Sequence, residues 1–292
     1  MRTSDLPASI SLWRKIVNKL MTILVIVAVI LAVIPLLLIL GDVVIRGAPA
    51  LSLGFLIHSL PTSTKGLSGG IGPAIVGSFT MVGIAALISV PIGVGAGIFF
   101  SEWASSRLST ISGFMNDVLT GFPSIVIGLF VFVIIVLPTK QSSAFAGGVA
   151  LSFVMLPIIA RTTGESLKLV PMTLREASMA LGIPRWKTVI RIVISTGKRG
   201  LLTGILLAVA RATGETAPIL LTASTSIYFA KSIFQPTASL TVFIYNYGTS
   251  GSASWQTEAW GAALVLILIM LGLNLLVKLT IGRNPIGARM EL

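Results

Sequence analysis

Six apolar stretches, 20–40, 75–100, 118–137, 144–160, 201–223 and 259–279, divide this chain of 292 residues. Each is near the roughly 20 residues that an α-helix needs to cross the hydrocarbon core of a bilayer. Lipid offers a backbone amide no partner, so such stretches fold as helices whose hydrogen bonds are internal. The expected fold class is all-α: one polytopic integral membrane domain over 1–292, with six transmembrane helices, an N-terminal helix at 20–40 and a core of packed helices at 71–280. Charged residues make up only 10% of the chain, where soluble domains carry about 25%. The first stretch is longer than a signal-peptide core and no small-residue cleavage site follows it, so it is expected to stay as a helix. The second is rich in glycine (Gly77, Gly83, Gly93, Gly95, Gly97), which permits close helix contact inside a bundle. Pro35, Pro91, Pro157 and Pro218 mark expected kinks.

The same composition excludes several chemistries. There is no cysteine, hence no disulfide and no thiolate metal site. The one histidine, His58, falls in a loop and rules out an imidazole cluster, so no metal site is expected. The net charge of +12 does not point to nucleic acid, because the basic residues gather beside the apolar stretches on one side. Sixteen of the 21 Lys and Arg lie there: Arg2, Arg14, Lys15 and Lys19, then Arg107, eight between Arg161 and Arg199, and Lys278, Arg283 and Arg289. The opposite loops hold only Arg46, Lys65, Lys140 and Lys231. The positive-inside rule therefore places both termini in the cytoplasm and loops 41–70 and 224–258 outside. Those loops are expected to hold short interfacial helices, with Trp255 and Trp260 in an interface belt.

A motif recurs at a spacing of 50 residues: Arg161-Thr-Thr-Gly-Glu165 and Arg211-Ala-Thr-Gly-Glu215. Counted from the start of the fifth stretch, Arg211 lies about 15 Å deep at 1.5 Å per residue, near the middle of the bilayer. Glu215, one turn on, shares its face and can pair with it. Two readings stay open. The pair pins the helix to its neighbours, or Arg211 serves a path for an anion, since guanidinium offers an oxyanion two parallel hydrogen bonds. Thr213 and Thr216 add hydroxyl donors. Arg161 and Glu165 form a second candidate pair at the cytoplasmic end of the fourth stretch. Asp117 and Glu102 read as caps or loop charges near the membrane boundary.

Between the two copies lies a polar, basic segment, 168–199. Thr173 and Glu176 have the spacing of a capping box. Gly182 stands where a helix C′ residue belongs, and Pro184 opens a second helix. Leu174, Ala177 and Leu181 share one face. The result is a helix, a glycine turn and a helix leading into the membrane, which is either a docking knob or an amphipathic connector.

Glu176-Ala177-Ser178-x3-Gly182-x9-Ile192 resembles the EAA loop of the membrane subunits of ABC importers, with Ser178 for an alanine and Ile194-Ser195 for Leu-Pro. Gly121-Phe-Pro-Ser-Ile-Val-Ile-Gly128, Leu174-Arg-Glu-Ala177 and Arg211-Ala-Thr-Gly-Glu-Thr-Ala-Pro218 are similar to runs in the A-type phosphate permeases of that family. The resemblance implies a type I, MetI-like bundle whose cytoplasmic coupling helix fits an ATP-binding subunit through Thr173, Glu176, Ala177, Gly182 and Pro184. It implies a second permease subunit, a dimer of ATP-binding subunits that holds ATP and Mg, and an extracytoplasmic phosphate-binding protein. The substrate path would run by Arg211, Glu215, Thr213, Thr216, Arg161 and Glu165 in the plasma or inner membrane.

No Gly-x4-Gly-Lys-[Ser/Thr] phosphate loop is present: Gly197-Lys198 is followed by Arg199 and has Ile192 where the first glycine belongs. With no nucleophile–base pair either, the chain is expected to be a non-enzymatic transport subunit. The competing readings are a permease for another tetrahedral oxyanion such as sulfate or molybdate, an autonomous anion channel or secondary transporter, and a membrane scaffold.

Overall fold

The computed structural model describes residues 8–62, 69–104 and 106–281. Arg2, Lys65, Arg283 and Arg289, which enter the charge count above, lie outside them. All regular structure among the described residues is helical. Five helices are long and apolar enough to cross a membrane, and a sixth crossing is possible through one sharply bent pair.

The chain opens with α1 (Ala8–Gly47), continues through a short outer helix α2 (Leu53–Ile57) and crosses as α3 (Gly72–Glu102). The stretch expected as one helix at 118–137 is two. α4 (Ser106–Gly121) meets α5 (Ser124–Thr139) at an angle of 93°. Phe122-Pro123 separates them: Pro123 takes an extended conformation, φ −57° and ψ 129°, and a proline at this point can neither donate to the preceding turn nor fit inside it. α6 (Ala144–Lys168) crosses back, and α7 (Met172–Ala180) is the short polar helix. The fifth stretch is also revised. α8 runs from Arg185 to Thr213, beginning well before Leu201, and stops at Gly214. A short α9 (Ala217–Thr222) finishes the traverse. Pro218 explains the stop, because its ring would collide with the carbonyl four residues earlier, at Gly214. Pro35, Pro91 and Pro157 sit inside unbroken helices. The outer helix α10 (Leu240–Gly248) and the last crossing α11 (Ala253–Ile281) complete the chain. α2 and α10 are the short helices expected in the two outer loops.

The bundle centres on α3 and α6, which touch through small residues. A Cβ at Gly97 would lie 2.6 Å from the Ala160 carbonyl oxygen and 2.7 Å from Thr163 Cβ, and one at Gly148 would lie 2.6 Å from Ile84. Around this contact Met81, Ala85, Leu151, Met155, Ile159, Ala208, Ala212 and Ile219 form the main core. α8 lies antiparallel to α6 by the same device, with Gly204 against Thr162 and Gly200 against Ser166. At the end of the bundle that carries α2 and α10, Phe55, Leu60, Ile71, Phe243 and Ala262 gather the loops onto α11, and Ser78 Oγ accepts from Leu240 N at 2.9 Å.

Gly97→Val should therefore force α3 and α6 apart and destabilise the protein by about 1–3 kcal/mol or more. Gly95→Ala, with nothing within 4 Å of its added carbon, should leave thermal unfolding of the detergent-solubilised protein unchanged or slightly raised.

Candidate functional site

The two backbone breaks face each other. Gly128 of α5 packs so closely on Pro218 of α9 that a Cβ there would sit 2.7 Å from Pro218 Cα. Below this contact is a cavity of about 100 Å³ lined by Leu119, Thr120, Phe122 and Ser124 around the first break, by Val154, Pro157 and Ile158 of α6, and by Arg211 and Glu215 at the second. Arg211 is in the last turn of α8, where a cation is favoured by the unsatisfied carbonyls of the helix end. The antiparallel register of α8 on α6 extends from Gly204–Thr162 to bring Arg211 level with Met155. That is eleven residues, about 16 Å, from the outer end of α6 at 1.5 Å per residue. Arg211 thus stands near mid-depth, at a helix end rather than within a helix.

Its ion pair is loose. Arg211 Nε lies 3.7 Å from Glu215 Oε1, and the two side chains are 55% and 18% exposed. Among the described residues the Arg211 guanidinium makes no hydrogen bond. The Glu215 backbone carbonyl accepts from Thr241 Oγ1 at 3.0 Å, which fastens the break to α10. Thr213 is not brought to this cavity: it is buried, its hydroxyl donates to Val209 O at 2.8 Å, and it lines a separate apolar groove with Ser78 and Leu240. Thr216 precedes α9, half-buried, and its carbonyl accepts from Leu220 N; it does not line the cavity. Ser124 does line it, and sequence reasoning passed it over.

One turn below Pro157 on α6, Arg161 and Glu165 face a larger open groove of about 470 Å³ between α3, α4 and α6. Here the sequence expectation is corrected. Arg161 bridges two carboxylates, with Nη1 to Asp117 Oδ1 at 2.7 Å and Nε to Glu165 Oε1 at 2.9 Å. Asp117 is therefore a member of the cluster and not a cap. Leu119 lines both spaces, so the two charged clusters follow one face of the bundle.

Residues 89–282 match the family described as "Binding-protein-dependent transport system inner membrane component". The chain is 42% identical over 268 residues to the "Phosphate transport system permease protein PstA" of Haemophilus influenzae, covering 91% of this chain and 94% of that one. It is 39% identical to "PstA 1" of Mycobacterium tuberculosis over 91% of this chain and 88% of that one. The chain belongs to the PstA family of binding-protein-dependent permeases. Its fold matches inward-facing forms of the MetNI methionine ABC transporter, with a TM-score of 0.61 at 16% identity over 71% of this chain and 93% of that one. An amino acid ABC transporter gives 0.51 at 17% identity, over 73% and 94%. The fold is thus that of the MetI-type permeases.

In this PstA-family chain the polar knob between α6 and α8 is built as the glycine pattern predicts. Gly182 has φ +75°; its N–H donates to Met179 O at 2.9 Å and that of Ile183 to Ser178 O at 3.3 Å, the paired bonds of a Schellman end. Pro184, extended at φ −65° and ψ 147°, caps the start of α8, and its carbonyl accepts from Lys187 N and Thr188 N. The capping box, however, does not form. Pro171 precedes the first helical residue and its carbonyl accepts from Leu174 N, so Thr173 already lies inside α7 and cannot cap it. Thr173, Glu176 and Ala177 are exposed, as are Leu174 and Leu181, the latter at 81%. Glu102 is a further correction. It is the buried last residue of α3 and pairs with Arg175 of α7.

An added carbon at Gly182 meets nothing within 4 Å, so a substitution there costs only the left-handed backbone, about 1–2 kcal/mol. Gly182→Val should open the turn and lower the thermal unfolding temperature of the detergent-solubilised protein, whereas Gly182→Asn, which tolerates that conformation, should keep most of the parent's stability.

Proposed function

We propose that the chain is the membrane-spanning permease subunit of an ATP-driven importer of inorganic phosphate. The observation that carries this reading is Arg211: a half-exposed guanidinium with uncommitted donors, near mid-depth, at a cavity between two broken helices. An arginine facing lipid there would cost roughly 2.5–3.5 kcal/mol on insertion scales and more by other measures, so its open side faces a polar path or a partner. Its planar fork suits a tetrahedral oxyanion, and relatives about 40% identical across nine-tenths of the chain bear the name of phosphate permeases. Glu215, within ion-pair range, holds the guanidinium when no substrate is present and repels a dianion held too tightly. Arg161, flanked by Asp117 and Glu165, forms a second and less cationic station toward the cytoplasm.

The path is shared with a second, homologous permease subunit that covers the exposed charged face. An outer phosphate-binding protein delivers the anion. A dimer of ATP-binding subunits, which alone holds ATP and Mg, docks on the exposed knob at 173–195. This chain itself hydrolyses nothing. It lies in the plasma or inner membrane with both ends cytoplasmic. Because the chain has no native cysteine, single cysteines report this orientation: Thr249→Cys should label from outside, and Ala180→Cys only after permeabilisation. Labelling of position 180 from outside would invert the topology.

The ion and the role of Arg211 are tested in proteoliposomes carrying the full complex, with phosphate, sulfate and molybdate offered in turn. Arg211→Lys keeps the charge and loses the fork, so phosphate uptake should fall while assembly persists. The double change Arg211→Gln with Glu215→Gln leaves no unpaired buried charge and should assemble yet remain inactive. Uptake near the parent level in that variant would make the pair structural and send phosphate elsewhere.

A further inference from the structure

We propose that Glu102 is a positioning residue for coupling: acting through Arg175, it fixes the cytoplasmic knob to the ends of α3 and α6, the second of which carries Arg161 and Glu165 of the lower charged cluster. The proposal rests on reading the knob as the docking point of an ATP-binding subunit. Glu102 ends α3, and its carboxylate takes Arg175 in a two-pronged contact, Oε1 from Nη2 at 2.7 Å and Oε2 from Nε at 3.3 Å. The same guanidinium donates to Leu167 O at 2.9 Å and to Val170 O, at and just beyond the cytoplasmic end of α6. The backbone carbonyl of Glu102 accepts in turn from Arg185, the first residue of α8. The paired side chains are 13% and 4% exposed. One arginine of α7 thereby grips the ends of α3 and α6, while a buried Ser178–Thr188 hydroxyl contact of 2.8 Å ties α7 to α8.

The outward face of α7 is bare: Leu174, Glu176, Ala177 and Leu181 are exposed, so besides the clamp α7 is held by the polar Ser178–Thr188 contact. Beyond the clamp the connection is stiff. α3 and α6 are locked at Gly97 against Ala160 and Thr163 and at Gly93 against Ile159, and Arg161 lies within that contact region. A tilt of α7 is therefore carried by Arg175 to Glu102, by α3 to α6, and so to the bridge of Arg161 with Asp117 and Glu165. Buried ion pairs add little net stability compared with apolar replacements. What a two-pronged guanidinium–carboxylate contact does supply is a fixed direction, which a coupling joint requires.

The double variant Glu102→Gln with Arg175→Met separates geometry from stability, because neither change leaves a buried charge without its partner. In proteoliposomes bearing the full complex, we expect it to assemble and the phosphate taken up per ATP hydrolysed to fall about tenfold, within the 5- to 150-fold span of allosteric couplings. Spin labels at Leu181 and Phe99 should give a narrow distance distribution in the parent and a broad one in the variant. A parental ratio of uptake to hydrolysis, or an unbroadened distribution, would overturn the proposal. So would a double variant that fails to assemble, since the clamp would then be a stability element. A parent complex that shows no ATP-driven uptake at all would instead defeat the reading of the chain as an importer subunit.

Discussion

A guanidinium held near the middle of a bilayer sets terms for every element around it. It must be kept from lipid, and the backbone that holds it must stay hydrogen-bonded where no water is guaranteed. The two proline breaks answer part of this. Each ends a helix at membrane depth and is tied to a neighbouring helix: Gly128 lets α5 close on Pro218, and Thr241 reaches the Glu215 carbonyl, while Gly121, Phe122 and Pro123 stay exposed in the single chain. The small residues along α3, α6 and α8 let those helices pack closely beside the breaks.

The repeated Arg-x-Thr-Gly-Glu pattern has two structural fates, and one residue separates them. At Arg161–Glu165 no proline follows within helical reach, so the motif stays inside α6 and its arginine finds a partner on α4. At Arg211–Glu215, Pro218 stops the helix at Gly214, and the arginine is left at a helix end with a loose neighbour. The upper guanidinium keeps its donors free and the lower one has spent two of them on carboxylates.

Local features of this arrangement were legible in the sequence, and distant ones were not. Apolar length gave the crossings, the Gly182 turn followed from a helix-end pattern, and the i,i+4 partners of Arg161 and Arg211 followed from helical spacing. The break at Phe122-Pro123 was missed because apolar residues continue across it, so hydropathy alone reads one span. Thr213 was misplaced because its neighbours on the sequence are not its neighbours around the end of α8. Thr173 was misread as a cap because Pro171 starts the helix earlier. Asp117 and Glu102 looked like boundary charges, since their partners stand 44 and 73 residues away, beyond any periodicity.

The charged face has a consequence for assembly. Arg161, Asp117, Glu165 and Arg211 all have side chains more than half exposed in the single chain, yet they stand on helices of a membrane bundle. Lipid cannot cover them at acceptable cost, and α4, which borders the lower cluster, presents Ile111, Phe114 and Met115 outward beside it. Polar groups flanked by an apolar rim suit burial against another protein surface within the membrane better than contact with acyl chains.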